Sequence, residues 1–188
     1  MAFKPARVSR RNPPPLADRS RCKWAADGGL LAAYHDEEWG RPIRSDAGHL
    51  ERMALEIFQC GLSWKIVLVK RPALRVAFRN FNPPVVAAMN GRDAARLMKD
   101  AAIIRNRKKI EATIKNAARV VELAEKHGTF LRWLEAVECR TPAQRRAAFK
   151  LFKDLFSFMG PETTKCYLWG VGKVTPPHER ACWMHAAR

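Results

Sequence analysis

No apolar run in the sequence is long enough to span a bilayer, so a transmembrane protein is not expected. No segment alternates apolar and polar residues in the manner of a half-buried strand, and no stretch repeats another, so neither a β-sandwich nor a solenoid is expected. Acids are scarce: 18 Asp and Glu stand against 35 Lys and Arg, a formal net charge of +17. Such an excess favours an anionic partner, with nucleic acid foremost. A membrane surface is the lesser candidate, because no basic amphipathic helix with a Trp/Leu face stands apart from the core pattern. Cysteines number five, widely spaced (22, 60, 139, 166 and 182), which argues against a disulfide framework and leaves metal ligation or burial for each. The N-terminal stretch is basic but lacks the apolar centre of a secretory leader, so the cytoplasm is the expected compartment.

The chain has 188 residues, 47% of them hydrophobic, enough for one cored domain and a tail. Residues 1–20 form a Pro- and Arg-rich basic tail with little to bury, expected to be disordered when free, and 21–188 form the domain. From Asp46 onward the pattern is helical. Leu50, Met53, Ala54, Ile57 and Phe58 share helical spacing, and the segment from Ser63 is interrupted at Pro72, which suits the first turn of a new helix. Asn82-Pro83-Pro84 opens a short helix and 91–100 reads as another. Ile110, Ile114, Ala117, Val121 and Ala124 continue a stripe that Gly128 stops. Thr141-Pro142 reads as an N-cap with proline at the first helical position, opening a helix that stops at Gly160. The expected class is all-α, a compact array of short helices.

Three constellations bear on chemistry. The stretch YHDEEWG (34–40) crowds a histidine, three acids and two aromatics together, and reads as a catalytic carboxylate cluster, a metal site or a solvated helix start. Cys22 and His35 near the start, and His178 and Cys182 near the end, form two pairs that would make a Cys2His2 metal site if they met; the latter pair has i, i+4 spacing, one helical face. Spacing alone equally allows unrelated residues. Second, Glu56 sits inside an apolar helix, where it either reaches the surface beside Arg52 and Gln59 or lines a cleft next to the Gly-Leu-Ser-Trp turn that follows. Third, Arg105, Asn106, Arg107, Lys108 and Lys109 form a cationic turn before a helix, either a phosphate-binding element or a solvated charged turn.

Three segments together resemble the type I 3-methyladenine DNA glycosylases of the helix-hairpin-helix superfamily: CKW…AYHDEEWGRP (22–42), LEIFQCGLSWKIVL (55–68) and NFNPPVVAAM…DAAIIRNRKKI…NA (80–117), with MGPETT (159–164) and the closing HERAC. The resemblance spans about residues 22 to 182. It implies a compact helix-hairpin-helix glycosylase fold whose N- and C-terminal ends are joined by a structural zinc on Cys22, His35, His178 and Cys182. It further implies that Glu56, Tyr34 and Trp64 recognise the base, with Trp24 and Trp39 near the pocket, and that a hairpin over about 100–112 grips the DNA backbone. The implied activity is monofunctional hydrolysis of the N-glycosidic bond of an alkylated purine, chiefly 3-methyladenine, flipped from duplex DNA by a monomer, without a lyase step. On that reading the acids Asp36, Glu37 and Glu38 order the segment or pair with the basic surface.

The sequence departs from the family's usual pattern at several places. Ile57 and Phe58 follow the glutamate where glycine is usual, Leu31 stands where an aromatic is common, Ala102 stands in the hairpin turn, and Thr175-Pro176-Pro177 precede His178. These departures imply a bulkier pocket with less stacking. They keep open a different lesion, and an alternative in which the chain is a glycosylase-fold DNA-binding protein with weak, absent or altered excision.

Overall fold

The computed structural model describes residues 20–185 and divides the chain into two compact units, one formed by the N-terminal segment to Glu38 with the segment from Pro177, the other by Trp39–Pro176. The basic tail, apart from Ser20, lies outside the described residues. Among the described residues the regular structure is entirely helical, as the periodicity requires, and no helix is long and apolar enough to cross a membrane.

The smaller unit contains a 3-10 turn, Lys23–Ala25, and helix α1, Gly29–Glu37. Its two chain segments are sewn together by backbone groups: Trp183 N–H donates to Ser20 O (2.8 Å), and Lys23 N–H donates to the Glu179 carboxylate (3.0 Å). His178 lies in an irregular segment and Cys182 among the turns that follow it, not on one face of a helix as their i, i+4 spacing suggests. The backbone here closes i, i+3 turns, Cys182 N–H donating to Glu179 O at 2.9 Å and His185 N–H to Cys182 O at 2.8 Å.

The larger unit contains α2 (Asp46–Gln59), α3 (Trp64–Ala77), α4 (Pro83–Ala87), α5 (Gly91–Leu97), α6 (Arg107–His127), α7 (Phe130–Ala136), α8 (Pro142–Leu155) and α9 (Pro161–Gly170). The starts are set by side-chain caps: Ser45, Ser63, Asn82, Asn90, Asn106, Thr129 and Thr141 each accept a hydrogen bond from a backbone N–H of the first turn. Gly128, at φ +86°, ends α6 as expected. Pro72 does not open a new helix. α3 runs through it, because Val67 and Leu68 before it and Leu74 and Ala77 after it are all buried, while the proline itself is exposed. α8 ends at Leu155, earlier than expected, and Gly160 instead caps α9.

Helix α2 is the axis of this unit. Every residue from Arg52 to Phe58 is buried, so α2 has no solvent face over those two turns. Around it pack α3, α6, α7 and α9. The far side of the core is an aromatic cluster of Phe130, Trp133, Phe152, Phe156 and Tyr167, with ring centroids 5.0–6.1 Å apart in tilted and edge-on pairs. His49 ties α2 to this cluster. Its Nε2 lies 3.0 Å from Ile43 O and its Nδ1 2.9 Å from the Tyr167 hydroxyl, so Nε2–H donates to the carbonyl and Nδ1 accepts. Burial pushes its pKa down to about 4 and keeps it neutral.

Candidate functional site

In the smaller unit, Cys22, His35, His178 and Cys182 converge. All four are buried, and their ligand atoms lie within 4.8 Å of one another. Cys182 Sγ is 3.4 Å from His35 Nε2 and 3.5 Å from His178 Nδ1, and Cys22 Sγ is 3.7 Å from His178 Nδ1. A tetrahedral ion with metal–sulfur bonds of about 2.3 Å and metal–nitrogen bonds of about 2.0–2.1 Å holds its ligand atoms about 3.3–3.8 Å apart. The donor set therefore fits such an ion and can hold a metal.

The surroundings orient these donors. His35 Nδ1 lies 2.9 Å from Asp36 Oδ1, so Nδ1–H donates to the carboxylate and the Nε2 lone pair faces the cluster. Asp36 in turn accepts from Arg21 (2.8–3.1 Å) and from Trp183 Nε1 (3.0 Å). Burial alone would raise its carboxyl, but these hydrogen bonds, from Arg21, His35 and Trp183, outweigh burial and hold it well below the usual carboxylate range. Burial pushes the Cys22 thiol up to about 11, and the adjacent Cys182 adds to that. A cation bound between the two sulfurs would stabilise both as thiolates. Trp24 lies over this cluster, its ring 5.3 Å from His35 and 6.1 Å from Tyr34. Of the acids in YHDEEWG, Asp36 orients His35. Neither it nor Arg21 and Trp183 was assigned a place at the site from sequence, though the adjacency of His35 and Asp36 is the signal for such a triad.

In the larger unit, Glu56 is buried in α2, 7% exposed, so the surface placement beside Arg52 and Gln59 does not hold. Arg52, one turn earlier, is buried too, at 2%. Gly170 closes over both: a Cβ there would stand 3.2 Å from Arg52 Cδ and 3.6 Å from Glu56 Oε1. Burial pushes the Glu56 carboxyl up to about 7, opposed by the Arg52 charge. Ile57 and Phe58 are fully buried in the hydrophobic core, Phe58 with its ring 6.2 Å from that of Phe78. These two residues fill the core, contrary to the expectation that they enlarge the pocket wall.

The segment that carries the chain from Glu56 to Trp64 is a type II β-turn. Cys60 has φ −50° and ψ 111°, Gly61 has φ +79°, and Leu62 N–H donates to Gln59 O at 2.7 Å. The third turn position requires the left-handed region, which is why a glycine stands there. Trp64 then begins α3, half-buried against the core. Trp39, half-buried, is the first residue of this unit.

The cationic turn leads into α6. Arg105, Asn106, Arg107 and Lys108 are exposed, and Asn106 Oδ1 caps the helix by accepting from Lys109 N–H at 3.2 Å. Ala102 sits exposed in the preceding turn, which Lys70 braces by donating to Ala101 O at 3.1 Å. Lys109 departs from the expectation. It is 5% exposed, and its ammonium donates to Phe58 O (2.8 Å) and Cys60 O (2.5 Å). It is therefore spent inside the fold and cannot serve with its neighbours as a phosphate contact.

Comparison with known proteins shows the family. The family model described as methyladenine glycosylase matches residues 24–185. The chain is 37% identical over 163 residues to DNA-3-methyladenine glycosylase 1 of Escherichia coli (strain K12), covering 78% of this chain and 86% of that one. Its fold superimposes on a crystal structure of 3-methyladenine DNA glycosylase I with a TM-score of 0.76 at 32% identity, over 87% of this chain and 98% of the other. A Staphylococcus aureus 3-methyladenine DNA glycosylase I, solved for the structural basis of its 3-methyladenine recognition, matches with a TM-score of 0.73 at 28% identity, over 81% and 89% of the two chains. The chain belongs to the methyladenine glycosylase family.

Proposed function

We propose that the chain is a monofunctional DNA glycosylase that takes an alkylated purine, 3-methyladenine first, out of the duplex and hydrolyses its N-glycosidic bond. The observation that carries this reading is Glu56, a carboxylate buried in α2 and followed by the tight turn that presents Trp64, in a chain of this family. Methylation at N3 makes adenine cationic, so the base leaves with its bonding electrons and needs little protonation. Water adds at the sugar carbon and loses a proton. The protein's task is to hold the cation: the Glu56 carboxylate attracts it and accepts hydrogen bonds from its edge. Trp64 and Trp39, both in the larger unit, offer electron-rich faces for such a ring. A neutral base gains less from both, which gives selectivity without a nucleophile.

The exposed Arg105, Asn106, Arg107 and Lys108 at the start of α6 supply phosphate contacts, and α5, its turn and α6 serve as the hairpin. The metal on Cys22, His35, His178 and Cys182 is zinc, held by four protein ligands and therefore structural. The working form is a cytoplasmic monomer.

The test is incubation with methylated duplex DNA and chromatography of the released bases. Released 3-methyladenine with unbroken strands is expected; no release of any alkylated base overturns the reading.

A further inference from the structure

The buried ammonium of Lys109 is the feature that neither a phosphate grip nor core packing accounts for. An apolar side chain of similar volume would fill that place without taking a charge out of water. The two groups it holds, Phe58 O and Cys60 O, belong to the last turn of α2 and to the β-turn that follows. The Cys60 carbonyl is the decisive one. Type I and type II turns differ by a flip of their central peptide, here Cys60–Gly61. With Lys109 Nζ on the carbonyl, that peptide is fixed in the type II orientation, and its N–H, at Gly61, is directed to the opposite side. Gly61 is exposed there, with open space where a Cβ would stand. The rest of the turn is tied down around the same peptide: Cys60 Sγ donates to Glu56 O and lies by Thr163 Oγ1, both at 3.5 Å, and Gln59 Nε2 donates to Leu62 O at 3.2 Å. Glu56 stands on one side of this turn and Trp64 on the other, so the orientation of one peptide sets the spacing between a carboxylate and an aromatic ring.

We infer that Lys109 is a positioning residue for base recognition, which locks the Cys60–Gly61 peptide and through it the placement of Trp64 relative to Glu56. The inference rests on the reading of Glu56 and Trp64 as base-binding groups. It assigns Lys109, the last residue of the cationic run, a role different from that of its four exposed neighbours.

The test compares Lys109→Met, which removes both hydrogen bonds, with Lys109→Gln, whose amide keeps two N–H donors without the charge. Three quantities are measured on folded protein: affinity for free 3-methyladenine, affinity for undamaged duplex, and the single-turnover release rate. The Gly61 amide signal in a nitrogen–proton NMR spectrum reports the peptide directly. The expected result for Lys109→Met is a tenfold or greater loss of base affinity and release rate, duplex affinity within twofold of wild type, and a shifted or doubled Gly61 signal, with Lys109→Gln recovering most of the loss. Base affinity and release within twofold of wild type in folded Lys109→Met overturns the inference, as does a loss that Lys109→Gln does not relieve. Should the wild-type chain release no base, the proposed function fails, while free-base affinity and the Gly61 signal still decide the role of Lys109.

Discussion

Replacing Glu56 by glutamine separates stability from function in a way set by burial. In the native chain the carboxyl loses its proton near pH 7, whereas in the unfolded chain it does so near 4.5. Between those values the native state holds a proton that the unfolded state has lost, so wild-type stability falls as pH rises through this window and levels off above it. With about 1.4 kcal/mol per tenfold change in proton affinity, the charged Glu56 costs the native state about 3 kcal/mol above pH 7. Glutamine does not titrate. The stability of Glu56→Gln relative to wild type should therefore increase by about 2.5 kcal/mol between pH 5 and pH 8, which for a chain of this size is roughly 5–10 °C in Tm. Taking the difference between the two proteins removes the contribution of groups common to both, including the buried neutral His49. Urea or thermal unfolding of both at a series of pH values reads it out. The same carboxyl predicts that wild-type kcat/KM rises with pH up to about 7 and is flat beyond, because the charged form is the one that attracts a cationic base. A stability difference that does not change with pH would refute the argument that burial controls Glu56.

Further outcomes follow from the other elements. His178→Ala should bring bound metal from about one ion per chain to near zero and make the protein chelator-indifferent, measured by elemental analysis and Tm with and without chelator. Asp36→Asn should leave the four ligands in place yet weaken metal affinity about 10–100-fold, measured by competition with a chromogenic chelator, because the His35 ring loses its orienting carboxylate. Arg105→Ala, Arg107→Ala and Lys108→Ala should each lower the slope of log affinity against log salt for duplex DNA by about 0.9.

Much of this arrangement was legible in the residues. The openings at Asn82 and Thr141 and the stop at Gly128 mark helix ends because each satisfies backbone groups locally, and local chemistry is what a sequence displays. The four cysteines and histidines were legible as two pairs, but their meeting depends on bringing together segments some 150 residues apart, visible only in the fold. Pro72 misled because its cost is local, whereas the buried Val67, Leu68, Leu74 and Ala77 that override it act through tertiary packing. Lys109 misled in the same direction, whereas Glu56 stood open between surface and cleft and its burial removes the surface reading. A charge on a helical wheel reads as surface until the neighbours of that helix are known, and α2 is enclosed over Arg52–Phe58. Lys109 was hidden further by its company, since four of the five residues in its run are exposed.

The central claim is that the buried Glu56 carboxylate recognises a cationic alkylated purine. Single-turnover release of 3-methyladenine from methylated duplex at pH 8, wild type against Glu56→Gln, addresses it most directly. The account predicts release by wild type and a loss of about a hundredfold or more in the variant, the scale of removing a preorganised electrostatic group. Equal rates in the two proteins would contradict it.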